Sequence, residues 1–360
     1  MRERPEKKGG YEMRLSPRTM RALNRSQKKK ETNDVPEDLY QMSDLDVSVM
    51  QQLLDVAQFR TLASIFFEHL LRSGVPPHNA NLAALKNITL DRMSSRVAAT
   101  YSPFYNEIAL SAKNKLFKRA KRILREGKPI PDQLMYSFQL DIIHELCHAF
   151  GRVRFTTKDI SDARIQVTTE VGYDSAHYAL RAPGRPEKRD ITQEGITLYN
   201  AFNEGVTQRI AEEVFWEYHK RMGNTSGAKQ YLSSRLLRRT NRGKRVWTYY
   251  MFGNHVDSMC EAIARYTDVP KEKVWESIKR GYFEKPELYN EETVNLFKQT
   301  FGEDVLYEYA MLKTDDPEEK FIQFDKKYSI PPVETYVQRW LDHLGIAIEQ
   351  KKKRRKKKTR

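Results

Sequence analysis

The chain has 360 residues with a formal net charge of +15, and 39% of its residues are hydrophobic. This composition allows one large domain or two small ones with a sizeable core. No apolar run is long enough to span a bilayer, no secretory pattern is visible at the start, and two cysteines cannot form a disulfide framework. We therefore expect a protein without membrane association, in a reducing, cytoplasmic location.

The positive charge is concentrated at the two ends of the sequence. Residues 351–360 contain nine Lys and Arg and no acid, a net charge of +9, and residues 1–30 contain eleven basic and three acidic side chains, a net charge of +8. The remaining residues therefore have a net charge of −2. This predicts a disordered basic arm over 1–35 and a disordered tail over 349–360 on a near-neutral body. The tail is a candidate contact for nucleic acid or for an acidic partner, and a solubilising role explains it equally well.

Short strands and a basic helix are predicted ahead of the central motif. Residues 96–101 and 106–111 have the pattern of two strands around a Ser-Pro turn. Residues 113–128 have the period of an amphipathic helix, with one apolar face and one face of Lys and Arg. A solvated face is the usual meaning of such a pattern, and a surface for an anionic partner is the alternative. Two prolines then precede a helix that begins near Asp132.

The central feature of the sequence is an H-E-x-x-H motif within an apolar segment, His144-Glu145-Leu146-Cys147-His148. Residues i and i+4 share one face of a helix, so His144 and His148 present two imidazoles at the spacing that one metal ion needs. Glu145 points beside the metal, where a carboxylate takes a proton from a metal-bound water. Buried imidazoles and a buried acid are costly unless something pairs with them. The pattern therefore favours a catalytic metal site over a surface helix with two incidental histidines.

A catalytic zinc site takes three protein ligands and keeps one position open, so a third ligand is expected. The metzincin pattern would place a histidine where this chain has Arg154. Glu204 is the better candidate, in the first turn of a second amphipathic run with Asn203 as its N-cap. Glu170 is the rival, although its strand-like surroundings favour a solvated carboxylate. For Glu204, a purely structural role near a helix N-terminus is the alternative.

The segment between the two motifs is predicted to be a long insertion. Residues 163–172 alternate like a strand, residues 180–193 have the composition of an exposed loop, and residues 195–200 form one more candidate strand. Such an insertion would cover the cleft or bind a partner.

The C-terminal half of the chain is predicted to be predominantly helical. From Gln230 almost to the end, the apolar residues follow a helical period. Tyr249, Tyr250 and His255 are candidates by position for stabilising an oxyanion opposite the general base. A core aromatic cluster is the alternative for each of them.

The H-E-x-x-H motif followed by N-E-G-x-T on a second helix resembles the gluzincin branch of the zincin metallopeptidases. The resemblance covers roughly residues 95–220. It implies one zinc ion held by His144, His148 and Glu204, and it implies Glu145 as the general base.

The same resemblance implies how a substrate would lie. It identifies the strand at 106–111 as the edge strand beside the active-site helix, whose unpaired backbone groups would hold an extended peptide. One departure is visible, because the interval between the two motifs is longer than in thermolysin-like members. At their shorter spacings this chain offers Val167 and Thr168, which are not metal ligands.

Together these patterns predict an α+β fold. A zincin-like core over residues 36–225 would contain a small sheet beside the active-site helix, and a helical subdomain over 226–348 would complete the cleft. The predicted function is a zinc-dependent metallopeptidase acting on a peptide or protein. A metalloprotease tethered to nucleic acid through 351–360 and a non-catalytic zincin-like binding protein are the alternatives. Glu145 argues against the last, because a structural metal site has no use for an acid beside the metal.

Overall fold

The computed structural model describes residues 11–13, 44–75, 87–91, 93, 97–103, 106–161, 164–181, 197–237, 249–284 and 291–331. Within these ranges the fold is mixed and mostly helical, with two small sheets, so the predicted α+β class is confirmed at this level. None of the helices in these ranges combines the length and the apolar character that crossing a bilayer requires. The predicted tail and most of the predicted N-terminal arm lie outside the described residues.

The elements of the described ranges are numbered here in chain order. The strands are β1 (Tyr11–Met13), β2 (Asn87–Asp91), β3 (Ala99–Ser102), β4 (Glu107–Ser111), β5 (Val153–Ser161), β6 (Arg164–Val171), β7 (Asp174–Arg181) and β8 (Thr197–Leu198). The helices are α1 (Asp44–Val56), α2 (Phe59–Arg72), α3 (Lys115–Arg125), α4 (Asp132–Phe150), α5 (Asn200–Arg221), α6 (Thr225–Leu237), α7 (Tyr249–Thr267), α8 (Lys271–Glu284), α9 (Glu291–Phe301), α10 (Val305–Ala310) and α11 (Glu318–Lys327).

The three-stranded sheet has the order β2-β4-β3 and packs against α4. β4 is parallel to β2 and antiparallel to β3, so it is the middle strand. The prediction that residues 106–111 form the edge strand is therefore wrong. Among the described strands, β3 is the edge on the side of the H-E-x-x-H helix. The sequence predicts both strands but not their order in the sheet. That order depends on β2, which pairs with β4 on the side opposite β3.

The five-stranded sheet has the order β1-β5-β6-β7-β8 and fills much of the interval between the two motifs. Its centre is an antiparallel meander, so the predicted insertion consists largely of hairpins. Tyr11–Met13, within the predicted disordered arm, form a short parallel strand against β5. Residues 182–196, which include most of the predicted exposed loop, lie outside the described residues.

Helix α5 lies at the centre of the helical part and is buried around most of its circumference, against α2, α4, α7 and α8. It begins at Asn200, one turn earlier than predicted, so Asn203 is not its N-cap and Glu204 is not in its first turn. Tertiary contacts explain the difference. The Ala201 N–H donates to the Leu312 carbonyl at 3.4 Å, which pairs a backbone donor at the helix start without a capping side chain.

Gly205 in the N-E-G sequence allows helix α7 to approach α5 beside Glu204. A Cβ atom at position 205 would lie 2.6 Å from the Phe252 carbonyl oxygen and 2.8 Å from a Val256 methyl group. A side chain there would push the two helices apart. The glycine is needed for packing, and the close approach brings the start of α7, at Tyr249, to the metal-ligand candidates.

Candidate metal centre

Helices α4 and α5 bring His144, His148 and Glu204 together. The Nε2 atoms of the two histidines are 3.2 Å apart. Glu204 Oε2 lies 3.0 Å from His144 Nε2, and Glu204 Oε1 lies 3.5 Å from His148 Nε2. These residues form a group of ligand-type side chains whose atoms lie within 4.8 Å of one another and could hold a metal ion. The i, i+4 spacing places the two imidazoles, and the packing of α5 on α4 supplies the carboxylate.

The spacing of these ligand-type atoms is close to that around a tetrahedral ion. Bonds of about 2.0–2.1 Å from zinc to nitrogen and oxygen, at tetrahedral angles, separate neighbouring ligand atoms by about 3.3–3.4 Å. The two Nε2 atoms are 3.2 Å apart, and they lie 3.0 and 3.5 Å from different oxygens of Glu204, so each separation is close to that value. Two imidazoles and one carboxylate suit a first-row transition metal, whereas calcium takes six or more oxygen ligands. The three side chains could therefore hold a metal ion.

A buried side chain fixes the orientation of His144. Its Nδ1 lies 3.2 Å from Gln208 Oε1, and Gln208 Nε2 donates to Glu212 Oε1 at 2.9 Å. Because the Gln208 amide donates to a carboxylate, its oxygen faces the ring and accepts the Nδ1 proton. His144 Nε2 is then left with its lone pair towards the metal position.

A second chain of hydrogen bonds acts on His148. Thr207 donates its hydroxyl proton to the Asn203 carbonyl at 2.8 Å, so it accepts from Tyr282, whose hydroxyl is 2.9 Å away. The Tyr282 oxygen is in turn 3.5 Å from His148 Nδ1 and accepts its proton. Because the proton of neutral His148 is on Nδ1, its Nε2 lone pair is directed at the metal position.

When both histidines are neutral, three acceptors thus face one another without a donor between them. Burial lowers the pKa of His148, but the charge of Glu204 and its hydrogen bond outweigh that effect and raise the pKa to about 9. Burial opposes ionisation of Glu204, yet the two histidines hold the pKa of its carboxyl well below its usual range. The cluster therefore attracts a cation, either a proton on His148 or a metal ion that takes its place.

Glu145 lies beside the three ligands and faces strand β3. Burial raises the pKa of its carboxyl, and the two histidines act in the opposite direction. It also accepts a hydrogen bond from the backbone N–H of Tyr101 on the edge strand. A carboxylate with a raised pKa is a better proton acceptor than an ordinary solvated one, which suits a general base.

The ligands open into a cleft of about 320 Å³. Strand β3 lines one side, and strands β6 and β7 line the other through Thr169, Val171, Asp174 and Ala176. Burial and the charge of Glu204 raise the pKa of Asp174 to about 7. Its Oδ1 atom is buried and has no hydrogen-bond partner in the described part of the chain. No Lys or Arg is among the described residues that line the cleft.

The rival third ligand, Glu170, is outside the three-residue group. Side chains alternate between the two faces of a strand. Thr169 and Val171 line the cleft, so Glu170 between them belongs to the opposite face of β6. The geometry thus favours Glu204 over Glu170.

The three oxyanion candidates lie in different environments. Tyr249 lines the cleft with its side chain about half exposed, and its ring centroid is 4.8 Å from that of His144. His255 is fully buried, and its two ring nitrogens contact Tyr309 and Asp325. It therefore has no ring nitrogen available for an oxyanion. The side chain of Tyr250 lies outside the described residues.

Gln208, Tyr282 and Asp174 were not predicted from the sequence. Gln208 follows Glu204 by one helical turn, and this i+4 spacing was a usable signal. Tyr282 lies 134 residues beyond His148 on α8, and Asp174 lies at the start of β7, so neither has a local pattern that connects it to the motif. Cys147 and Cys260 are both free and buried in the core.

Comparison of the chain with models of known protein families, with curated proteins and with solved structures finds no match.

Proposed function

We propose that this chain is a zinc-dependent metallopeptidase of the zincin type. The observation that supports the proposal most is the convergence of two imidazole nitrogens and one carboxylate within 4.8 Å of one another, with Glu145 beside them. A group that only stabilised the fold would close the fourth position with another Cys or His. Here that side opens into a cleft.

In this proposal the chain's own residues have separate roles. His144, His148 and Glu204 would hold the ion, which would supply Lewis acidity and lower the pKa of a water molecule to about 7. Glu145 would take a proton from the attacking water and pass it to the leaving amine. The charge of Glu204, together with partial burial of the ring, raises the pKa of Tyr249 well above its usual range, so its hydroxyl stays protonated. It can then donate a hydrogen bond to the developing oxyanion.

The cleft suits an extended peptide. β3 is an edge strand within the described sheet, and an extended segment can add to such an edge through backbone hydrogen bonds. Glu145, Asp174 and Glu204 all line the cleft, without a basic residue among its described walls. A carboxypeptidase would need a cation in the cleft to bind the C-terminal carboxylate of its substrate. The charges therefore favour cleavage within a chain, or next to a cationic group, over carboxypeptidase activity.

Substitution of the general base tests this function. Glu145→Gln is expected to lower the rate of hydrolysis of an unstructured protein substrate by about 10²–10⁴-fold. Zinc content should be unchanged, because Glu145 is not in the ligand group. Glu126→Gln, on the exposed C-terminal end of α3, is the matched control and should keep full activity. A zinc-loaded wild-type chain that cleaves nothing, or a variant as active as the wild type, would contradict the proposal.

A further inference from the structure

Helix α3 presents one face to solvent as a row of positive charges. The opposite side of the helix is buried in the core through Phe117 and Ala120. The outer face consists of five exposed cations, which we call the α3 basic face: Lys115, Lys118, Arg119, Arg122 and Arg125.

The geometry of a helix groups these five side chains closely. At 100° per residue they fall within an arc of about 120°, and at 1.5 Å per residue the face is about 15 Å long. Each strand of duplex DNA has one phosphate charge per roughly 3.4 Å of axis, so the face matches about four successive phosphates.

The charge of the α3 basic face is not neutralised by acids in the described ranges. The neighbouring cations Lys121 and Lys128 do have acidic partners, Asp46 and Glu126. No ion pair is formed by the five cations of the face with any acid that the structure describes. Like charges three and four residues apart destabilise a helix, so this arrangement is unfavourable until an anion binds.

The position of the face is fixed by contacts at both ends of the helix. At the N-terminus, Asn114 accepts the Leu116 N–H at 2.8 Å and donates its amide to the Val97 carbonyl at 2.9 Å. At the C-terminus, Gly127 has a φ of 64°, and the Lys128 N–H closes the helix on the Ile123 carbonyl. The cations are therefore presented from a preorganised support.

Physical criteria separate the candidate anions. An amphipathic helix binds a membrane by inserting its apolar face, but Phe117 and Ala120 already use that face in the core. Protein interfaces need aromatic or apolar anchors, and none of the large exposed hydrophobic residues of the described chain lies in α3. Single-stranded nucleic acid is held partly by stacking on aromatic side chains, which the outer face lacks. A duplex phosphate backbone needs only correctly spaced cations.

We propose that the α3 basic face binds the phosphate backbone of double-stranded nucleic acid without regard to sequence. This inference does not depend on the metal centre. It differs from tethering through residues 351–360, because it places the contact on the folded body. α3 is joined to α4 by a short connection and packs against it, so a bound duplex would lie next to the catalytic core.

Salt-dependent binding tests the proposal. The probe is a fluorescein-labelled 20-base-pair DNA duplex of random sequence, titrated with the full chain at several sodium chloride concentrations while anisotropy is measured. The triple variant Lys118→Gln/Arg119→Gln/Arg122→Gln is expected to raise Kd at least tenfold at low salt. Its slope of log K against log salt should fall by about 2.7, because each phosphate that a cation neutralises contributes about 0.9 to the slope.

A matched control removes the same charge from other surfaces. Arg265, Lys320 and Lys327 are exposed and paired with acids, so Arg265→Gln/Lys320→Gln/Lys327→Gln should keep the wild-type slope. The difference between the two triple variants should persist in chains that lack 351–360. The single variant Arg119→Gln, which alters one exposed side chain, should lower the slope by about 0.9.

Three results would overturn the proposal. The first is an unchanged salt slope in the α3 variants. The second is an equal loss of binding in the control variant, which would mean that only net charge matters. The third is binding of phosphatidylserine vesicles or polyglutamate that depends on the same three side chains as strongly as duplex binding does. Circular dichroism and the thermal midpoint of each variant verify that the chain remains folded.

Discussion

Two buried clusters of histidine and carboxylate differ in how their donors and acceptors face each other. In one, His255 Nε2 is 2.6 Å from Asp325 and Nδ1 is 2.9 Å from the Tyr309 hydroxyl. His255 donates its Nε2 proton to Asp325 and accepts the Tyr309 hydroxyl proton at Nδ1, so both contacts are complete hydrogen bonds. In the other cluster, the Nε2 atoms of His144 and His148 lie close to each other and to Glu204. Their Nδ1 protons are directed instead at Gln208 and Tyr282.

The comparison shows that residue type and burial alone do not separate a cluster that could hold a metal ion from a self-contained hydrogen-bond network. Both clusters contain a buried histidine within about 3 Å of a carboxylate. The direction of the protons distinguishes them, because the His255 cluster is complete without an ion. With both histidines neutral, the His144 cluster has three acceptors facing one another, and a metal ion or a proton could lie between them.

The largest expected effect comes from removing the carboxylate of each cluster in turn. Glu204→Ala should weaken zinc binding by more than 10³-fold, because only two of the three ligands remain. Asp325→Ala should leave zinc binding intact and lower the free energy of unfolding by about 2–4 kcal/mol, because it leaves a buried imidazole N–H unpaired. Zinc titration and urea unfolding of both variants measure the two effects.

Glu170→Ala is the control for the third ligand and should bind zinc like the wild type. If Glu170→Ala loses zinc and Glu204→Ala keeps it, the assignment of the third ligand is wrong. If Asp325→Ala loses zinc as well, the two clusters are not independent.

A smaller effect is expected from pH. Burial lowers the pKa of His148, but Glu204 outweighs it and raises the pKa to about 9, so the metal-free chain binds a proton there below that pH. A metal ion has to displace this proton. The apparent zinc affinity should therefore fall about tenfold for each unit of pH lowered between 8 and 6. Competition with a chelator of known pH dependence measures this slope, and a flat profile would show that His148 is not a ligand.

The smallest effect concerns the orientation of His144. Gln208→Ala should lower zinc affinity by about 10–100-fold, because the ring loses the acceptor that fixes its tautomer. Gln139 is a matched control, since it is another buried glutamine whose Oε1 lies 3.0 Å from a histidine, His219. Gln139→Ala should lower stability and leave zinc affinity within about twofold of the wild type. Equal affinities in the two variants would remove Gln208 from the centre.

The parts of the fold that could be predicted from sequence depend on local spacing. The start of α4 near Asp132 was predicted correctly, and so were the two strands around the Ser-Pro turn and the basic helix within residues 113–128. The side-by-side placement of His144 and His148 follows from the i, i+4 rule alone.

The remaining features depend on contacts between distant residues. Which strand is the edge is decided by β2, whose pairing with β4 no local pattern shows. The start of α5 is set by Leu312, more than 100 residues further along the chain. Tyr282 reaches His148 across 134 residues. Such contacts are products of tertiary packing, so periodicity and capping rules cannot supply them.

X-ray absorption at the zinc K-edge, on the purified full chain beside His148→Ala, identifies the atoms bound to the metal. We expect one zinc ion per wild-type chain, with nitrogen and oxygen neighbours at about 2.0–2.1 Å and scattering from two imidazole rings. The variant should lose the ion. A wild-type chain that binds no zinc after reconstitution, or a zinc ion with sulfur neighbours, would contradict the assignment of His144, His148 and Glu204 as the metal centre.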